Sequence, residues 1–197
     1  MKAIAVLAAL LTPCWLGSAD AAGGGSAVGA PSAPITMEVF SDFQCPHCRI
    51  LFEQTLPLVA QDYARTGKVY LIYREYPLAG NAYSKQAAYL AAAAARVGRY
   101  EQVAGALFAR QAEWAASGKP EQAALSGLAG ADAAKIRALA KDSSVTAEVD
   151  KDIARGQSLR INQTPTMIIT HRLKQYPLTG SVSYSLLRRF LDELLSK

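Results

Sequence analysis

Two short β-prone runs, Ile35-Thr36-Met37-Glu38-Val39-Phe40 and Val69-Tyr70-Leu71-Ile72-Tyr73, enclose a stretch that opens on Pro46 and keeps helical character to about Arg65. Proline suits the first helical position, where its missing N–H would be unpaired anyway. Pro57, inside the stretch, predicts a kink near Leu56, and Gly67 ends it. Strand, helix, strand in this order is a βαβ unit: the helix carries the chain back over the sheet, and the crossover is right-handed. A chain that begins this way is committed to an α/β layer.

From about residue 81 to 159 the pattern turns helical and alanine-rich. Tyr100, Val103, Leu107, Phe108 and Trp114 recur at helical spacing and read as a core stripe rather than a ligand-binding box. The alanines at 91–95 suit a close-packing helix face. Pro120 starts another segment, Asp132 reads as the N-cap of a helix over 133–140, and Val145, Val149 and Ile153 share a face. Strand character returns at 166–170, with 172–176 as a weaker partner. Ser183 then caps a final amphipathic helix with Leu187, Phe190, Leu191 and Leu194 inward. The expected architecture is one α/β layer domain, built from 35–80 and 161–197, with a helical subdomain spliced in at 81–160.

The 197 residues, 51% hydrophobic and 19% charged, can bury a sizeable core and exclude a disordered chain. Residues 1–21 read as a secretory signal peptide: Lys2, an apolar run over 3–11, helix breakers Pro13 and Gly17, and the small-residue site Ala19-Asp20-Ala21. The run is too short for a transmembrane anchor, and Pro13 disfavours lipidation of Cys14. Residues 22–34 read as a flexible leader, with order expected from Ile35. An extracytoplasmic, periplasmic location is the expectation. The net charge of +5 is dispersed over Arg49, Arg65, Lys68, Arg96, Arg137, Lys141, Arg160 and Arg188-Arg189. Without a basic stripe interleaved with aromatics, nucleic acid is not an expected partner.

Of three cysteines, Cys14 would leave with the signal, so the mature chain would hold Cys45 and Cys48. In Cys45-Pro46-His47-Cys48 both lie after a strand and at a helix start, the geometry of a redox pair. Cys45 meets the unpaired N–H groups and positive end of the helix, which stabilise a thiolate. Cys48, one turn in, should be more buried and a poorer nucleophile. His47 can donate a hydrogen bond or positive charge to the Cys45 sulfur, and stabilising the reduced form makes the disulfide a stronger oxidant. An inert bridge across so short a loop would constrain the unfolded chain little. Zinc would have Cys45, His47 and Cys48 but no second Cys-x-x-Cys. His171, the only other histidine, reads as a solvent-facing strand-end residue, so no metal is expected.

Thr164-Pro165-Thr166 carries a second signal, because proline at the entrance of a central strand removes a ladder donor. Either Thr164–Pro165 is cis in a tight turn, leaving backbone groups for a peptide to pair with, or Pro165 is an ordinary trans helix stop.

Val39-Phe40-Ser41-Asp42-Phe43-Gln44-Cys45-Pro46-His47-Cys48, followed far downstream by Thr164-Pro165-Thr166, resembles the DsbA-like thiol:disulfide oxidoreductases over about residues 35–195. The resemblance implies a thioredoxin-like fold with an inserted α-helical subdomain, a low thiolate pKa and an oxidising poise. It implies Cys45 as the attacking cysteine, Cys48 as the resolving cysteine, His47 as the tuning residue and Pro46 as part of the motif. Pro165 would be the cis-proline facing the disulfide, with Thr164 beside it at the substrate. No cofactor beyond a redox-active Cys45–Cys48 disulfide is implied. The implied partners are reduced or unfolded secreted proteins and a membrane-bound, quinone-linked protein that reoxidises the pair.

Two departures stand out. Many relatives carry an acidic residue in the first strand beneath the active site, where this chain has Val39. Glu38 is one residue earlier, and strand alternation aims it at the other face. That puts proton transfer to Cys48 by a buried carboxylate, Glu38 or Asp42, in question. Threonine before the proline also occurs in isomerase-type relatives. The dedicated isomerases carry a separate dimerisation domain, for which no segment precedes Ile35, so the expectation is a monomeric dithiol oxidase. A reductase or isomerase, and a non-redox peptide-binding module, are the alternatives.

Overall fold

Strand β2 (Ile35–Ser41) is the centre of a five-stranded sheet in a computed structural model that describes residues 26–197. The signal-peptide reading and the first residues of the leader lie outside the described residues. β1 (Ala27–Val28), β3 (Val69–Glu75), β4 (Thr166–His171) and β5 (Lys174–Thr179) complete the sheet in the order β1-β3-β2-β4-β5. β2 and β3 run parallel, as a βαβ crossover requires, and the other neighbours are antiparallel.

Both faces of β2 are covered. Ile35, Met37 and Val39 join the large core cluster with Cys48 and Leu51, whereas Phe40 joins Tyr76, Ile161 and Ile168 on the other face. Glu38 shares that second face and is only 5% exposed, so its charge needs partners. Arg74 lies 2.9 Å and Arg155 3.0 Å from its carboxylate, and Arg74 also reaches Asp152 at 2.9 Å. The network ties the long helix that carries Asp152 and Arg155 to the sheet.

The crossover is broken in the middle. α1 (Pro46–Gln54) stops at Thr55 and α2 (Leu56–Val59) restarts with Pro57 in its first turn. The Thr55 hydroxyl donates to the Val182 carbonyl at 2.9 Å, and a π-helical turn over Ala60–Ala64 follows. The helical insert contains α3 (Ser84–Ala95), α4 (Tyr100–Ala109), α5 (Gln111–Ser117), α6 (Pro120–Ala124), α7 (Gly130–Leu139) and α8 (Ser143–Ser158). The alanines of α3 are buried on nearly every side, and their small side chains let α4, α6, α7 and α8 all pack against one helix. α9 (Tyr184–Leu195) closes the chain with Leu187, Leu191 and Leu194 buried and Phe190 packed beside them.

Four local expectations are corrected. Order begins before Ile35: Ala27 and Val28 pair with Ile72 and Leu71 on the open edge of β3, using backbone groups that no side-chain pattern announces. Gly29 makes the tight return, at φ +92, where a Cβ would sit 2.4 Å from the Val69 carbonyl oxygen. Asp132 lies inside the first turn of α7 rather than at its cap, and its carboxylate meets Arg99 at 2.8 Å. Arg172 and Leu173 are the positive-φ turn between β4 and β5 rather than part of a strand. His171 is buried, because its strand is flanked by Ile35 on one side and Lys174 on the other.

Candidate active site

The loop between β2 and α1 is built around Asp42, which is 1% exposed. Its carboxylate accepts from the Gln44 backbone N–H at 2.7 Å, a side chain mimicking a turn two residues on. It also accepts from the Leu78 N–H at 2.7 Å, the Asn81 Nδ2 at 2.8 Å and the Ser84 hydroxyl. These donors satisfy a buried charge that would otherwise be costly. They hang the segment after β3 on the active-site loop, and the Asp42 carbonyl in turn accepts from Cys45 N–H at 3.0 Å. Asn81 and Ser84 carry no sequence signature for this role, since their partner lies about forty residues upstream.

Cys45 is the N-cap of α1, with extended backbone (φ −82, ψ 119), and Pro46 occupies the first helical turn. The two cysteines are free thiols in this structure, Cys45 partly exposed and Cys48 buried. The Cys45 thiol donates to the Thr164 carbonyl at 3.3 Å, and the Asp42 N–H donates to the Cys48 sulfur at 3.4 Å. The Thr164–Pro165 peptide bond is cis, and the Cys45–Thr164 hydrogen bond sets the loop before β4 against the cysteine pair.

The electrostatics split the two thiols. A hydrogen bond from the Cys48 thiol draws Cys45 down to about 5, against the opposing cost of partial burial. The Thr164 hydroxyl and the backbone N–H groups of Cys48 and His47 add to the effect. While Cys45 is a thiol donating to the Thr164 carbonyl, Thr164 Oγ1 is buried without a hydrogen-bond partner, and its hydroxyl can donate to the sulfur once that proton is lost. Burial pushes the Cys48 thiol up, and its bond to Cys45 adds to that. His47 is brought to the site, but what it contributes to the Cys45 thiolate is its backbone N–H, while its side chain is solvent-exposed.

Val39 stands on the core face beneath α1 and Glu38 on the opposite one, where its arginines hold it. Asp42 is the buried carboxylate in the active-site loop itself, and a second buried carboxyl group, Glu75 of β3, is in register with Ser41 at the end of β2. Glu75 is buried, accepts from the Tyr100 hydroxyl at 2.8 Å, and is pushed well above the usual carboxylate range by desolvation. Sequence reading overlooked it because a glutamate at a strand end looks like an ordinary solvated terminus. Ahead of the cis bond, the Tyr76 hydroxyl donates to the Ile161 carbonyl at 2.8 Å. Its ring lies against Gly156 of α8, where a Cβ would come within 2.3 Å. Among the described residues no three His, Cys, Asp or Glu converge as a metal site would require, and no helix is long and apolar enough to cross a membrane.

A family model described as thioredoxin matches residues 21–193. None of the curated proteins matches the chain. Among solved structures, alpha-DsbA1 of Wolbachia pipientis is similar with a TM-score of 0.69 at 23% identity, over 86% of this chain and 89% of its own. A thioredoxin-like oxidoreductase from Silicibacter pomeroyi DSS-3 is similar with a TM-score of 0.66 at 27% identity, over 87% and 92%. BdbD from Bacillus subtilis, in its oxidised form, follows with 0.68 at 20% identity, over 88% and 94%. With a β2–α1–β3 unit, a helical insert and an antiparallel β4–β5 hairpin in one sheet, the chain has the thioredoxin-like fold with helical insertion seen in DsbA, and it belongs to the thioredoxin family.

Proposed function

We propose that this chain is a thiol:disulfide oxidoreductase acting outside the cytoplasm, and that it donates a Cys45–Cys48 disulfide to secreted proteins. The observation that supports this reading is the asymmetry of the pair: Cys45 drawn down to about 5 at a helix start, beside a Cys48 thiol pushed up by burial. In the exchange, a substrate thiolate attacks the Cys45 sulfur of the disulfide, and Cys48 departs and takes up a proton. A second substrate thiolate then attacks its own mixed-disulfide sulfur and expels Cys45. A low-pKa thiolate is a good leaving group, so this release is fast and the reduced enzyme is favoured. Substrate loses two electrons and two protons, and the electrons pass on when a membrane-bound, quinone-linked partner reoxidises Cys45 and Cys48. The Thr164 carbonyl, within hydrogen-bond reach of the Cys45 sulfur, is the backbone group against which an extended substrate segment would pair. Pro46, inside the motif, contributes its fixed φ and lack of an N–H to the start of α1.

Redox titration of the Cys45–Cys48 couple against glutathione tests this. A disulfide donor should lie far above the ~−270 mV of thioredoxin, toward the ~−120 mV of strong oxidants. A couple at or below the thioredoxin value would make the chain a reductase instead, and a Cys45→Ser variant with full cellular function would make it a binding module.

A further inference from the structure

Gln111 opens α5 in the helical insert and is 6% exposed. Its Nε2 donates to the Phe43 carbonyl at 2.7 Å and to the Cys45 carbonyl at 3.0 Å. Both partners are carbonyl oxygens, which only accept, so the orientation of the carboxamide is fixed by its surroundings. One nitrogen thus spends both hydrogens on the loop that delivers Cys45.

The Cys45 carbonyl is also the first acceptor of α1, taking the Cys48 N–H at 3.1 Å and the Arg49 N–H at 3.2 Å. Its direction sets the direction of the Cys45–Pro46 peptide, and hence which way the first turn of α1 faces the sulfur. The same amide nitrogen draws on the partial negative charge of a carbonyl close to the thiolate, which would otherwise oppose it. Packing holds the loop too: Phe43 lies 4.8 Å from Phe108 and Phe108 lies 5.0 Å from Phe52, ring centre to ring centre. Packing excludes water and fills space, but it does not orient a peptide. The amide does.

We propose that Gln111 is a positioning residue for the thiol–disulfide exchange: its carboxamide pins the Phe43 and Cys45 carbonyls and so aims the first-turn N–H groups of α1 at the Cys45 sulfur. The inference rests on the exchange reading above, yet its readout does not, because thiolate formation is measured without any substrate. A reducing potential would sink the oxidase reading and leave this one standing.

The test follows the Cys45 thiolate by its ultraviolet absorbance, and by alkylation rate at pH 5, in reduced protein checked for folding by circular dichroism. Gln111→Glu keeps nearly the same shape but replaces donors with acceptors, and Gln111→Met keeps volume without polarity. Each should slow Cys45 alkylation at pH 5 by ~2–5-fold, because a midpoint raised from about 5 by up to one unit lowers the thiolate from about a half to about a tenth of the protein. Phe108→Leu, which loosens the packing and spares both hydrogen bonds, should lower stability and leave the alkylation rate unchanged. Folded Gln111 variants with the wild-type rate, or a Phe108→Leu variant slowed as much as they are, would overturn the assignment. Should the Gln111 variants not fold, the wild-type protein still decides. The Gln111 side-chain amide protons should be protected from exchange and should shift in NMR spectra with the Cys45 midpoint. Fast exchange, or shifts that ignore that midpoint, would overturn it equally.

Discussion

The Cys45 thiol lies 3.3 Å from the carbonyl oxygen of Thr164, a residue 119 positions later in the chain. One side of this contact is the start of a helix and the other is the loop that enters β4, so the whole helical insert lies between them in sequence. The site therefore depends on how that insert is anchored, by Asp42 and its donors on one side and by the Glu38, Arg74, Asp152 and Arg155 network on the other.

Reactivity should separate the thiols. In the reduced protein at pH 6, Cys45 should alkylate on the order of 100-fold faster than Cys48, because it combines exposure with thiolate character. Mass spectrometry of timed iodoacetamide reactions reads this directly. Comparable rates at the two positions would remove the basis for their different roles.

Stability of the reduced form should depend on pH with a known sign. The Cys45 thiol falls from 9.0 to about 5 on folding, so between those values the unfolded chain holds a proton that the folded chain has released. The contribution of Cys45 to the stability of the reduced protein then rises with pH through this window and is lost as pH falls toward 5. One proton limits the slope to ~1.4 kcal/mol per pH unit, and solvent screening of the half-exposed sulfur narrows the range over which it acts. Urea denaturation of reduced and disulfide forms side by side should show the reduced form gaining stability relative to the disulfide form as pH rises.

Glu75 gives the opposite sign. Desolvation holds its carboxyl protonated in the folded chain above the 4.5 at which an unfolded glutamate ionises. Across that window the folded state binds the extra proton, and stability falls as pH rises. Glu75→Gln can still accept from the Tyr100 hydroxyl but cannot ionise. It should be more stable than wild type at neutral pH, with the gain vanishing below pH 4.5. A variant less stable than wild type at pH 7 would show that the carboxyl group itself is needed there.

Gly156→Ala should cost ~1–3 kcal/mol, because the new methyl group would meet the Tyr76 ring at 2.3 Å. The ring has little freedom to yield, since its hydroxyl is bonded to Ile161 and its edge packs on Phe40 with 5.9 Å between centroids. A shift in denaturation midpoint with unchanged Cys45 alkylation is the expected result; wild-type stability would mean that the loop ahead of Thr164 moves freely.

The βαβ unit, the alanine-rich insert, the final amphipathic helix and the placement of Cys45 and Cys48 at a helix start were all legible in order along the chain. Each depends on interactions within a few residues: apolar periodicity, a proline at the first helical position, a thiol beside free N–H groups. The same local logic placed Glu38 on the face away from Val39, because alternation along a strand needs no partner to be known. What needed the tertiary structure were the groups whose partners are remote. β1 was hidden because it is held by backbone pairing to β3. His171 looked exposed until strands closed on both its sides. Glu75 became a buried acid, and Gln111 a holder of the Cys45 loop, when the insert folded over the sheet. Neither side chain carries a mark of its role in the sequence, because burial and long-range hydrogen bonding belong to the packed arrangement and to no single segment.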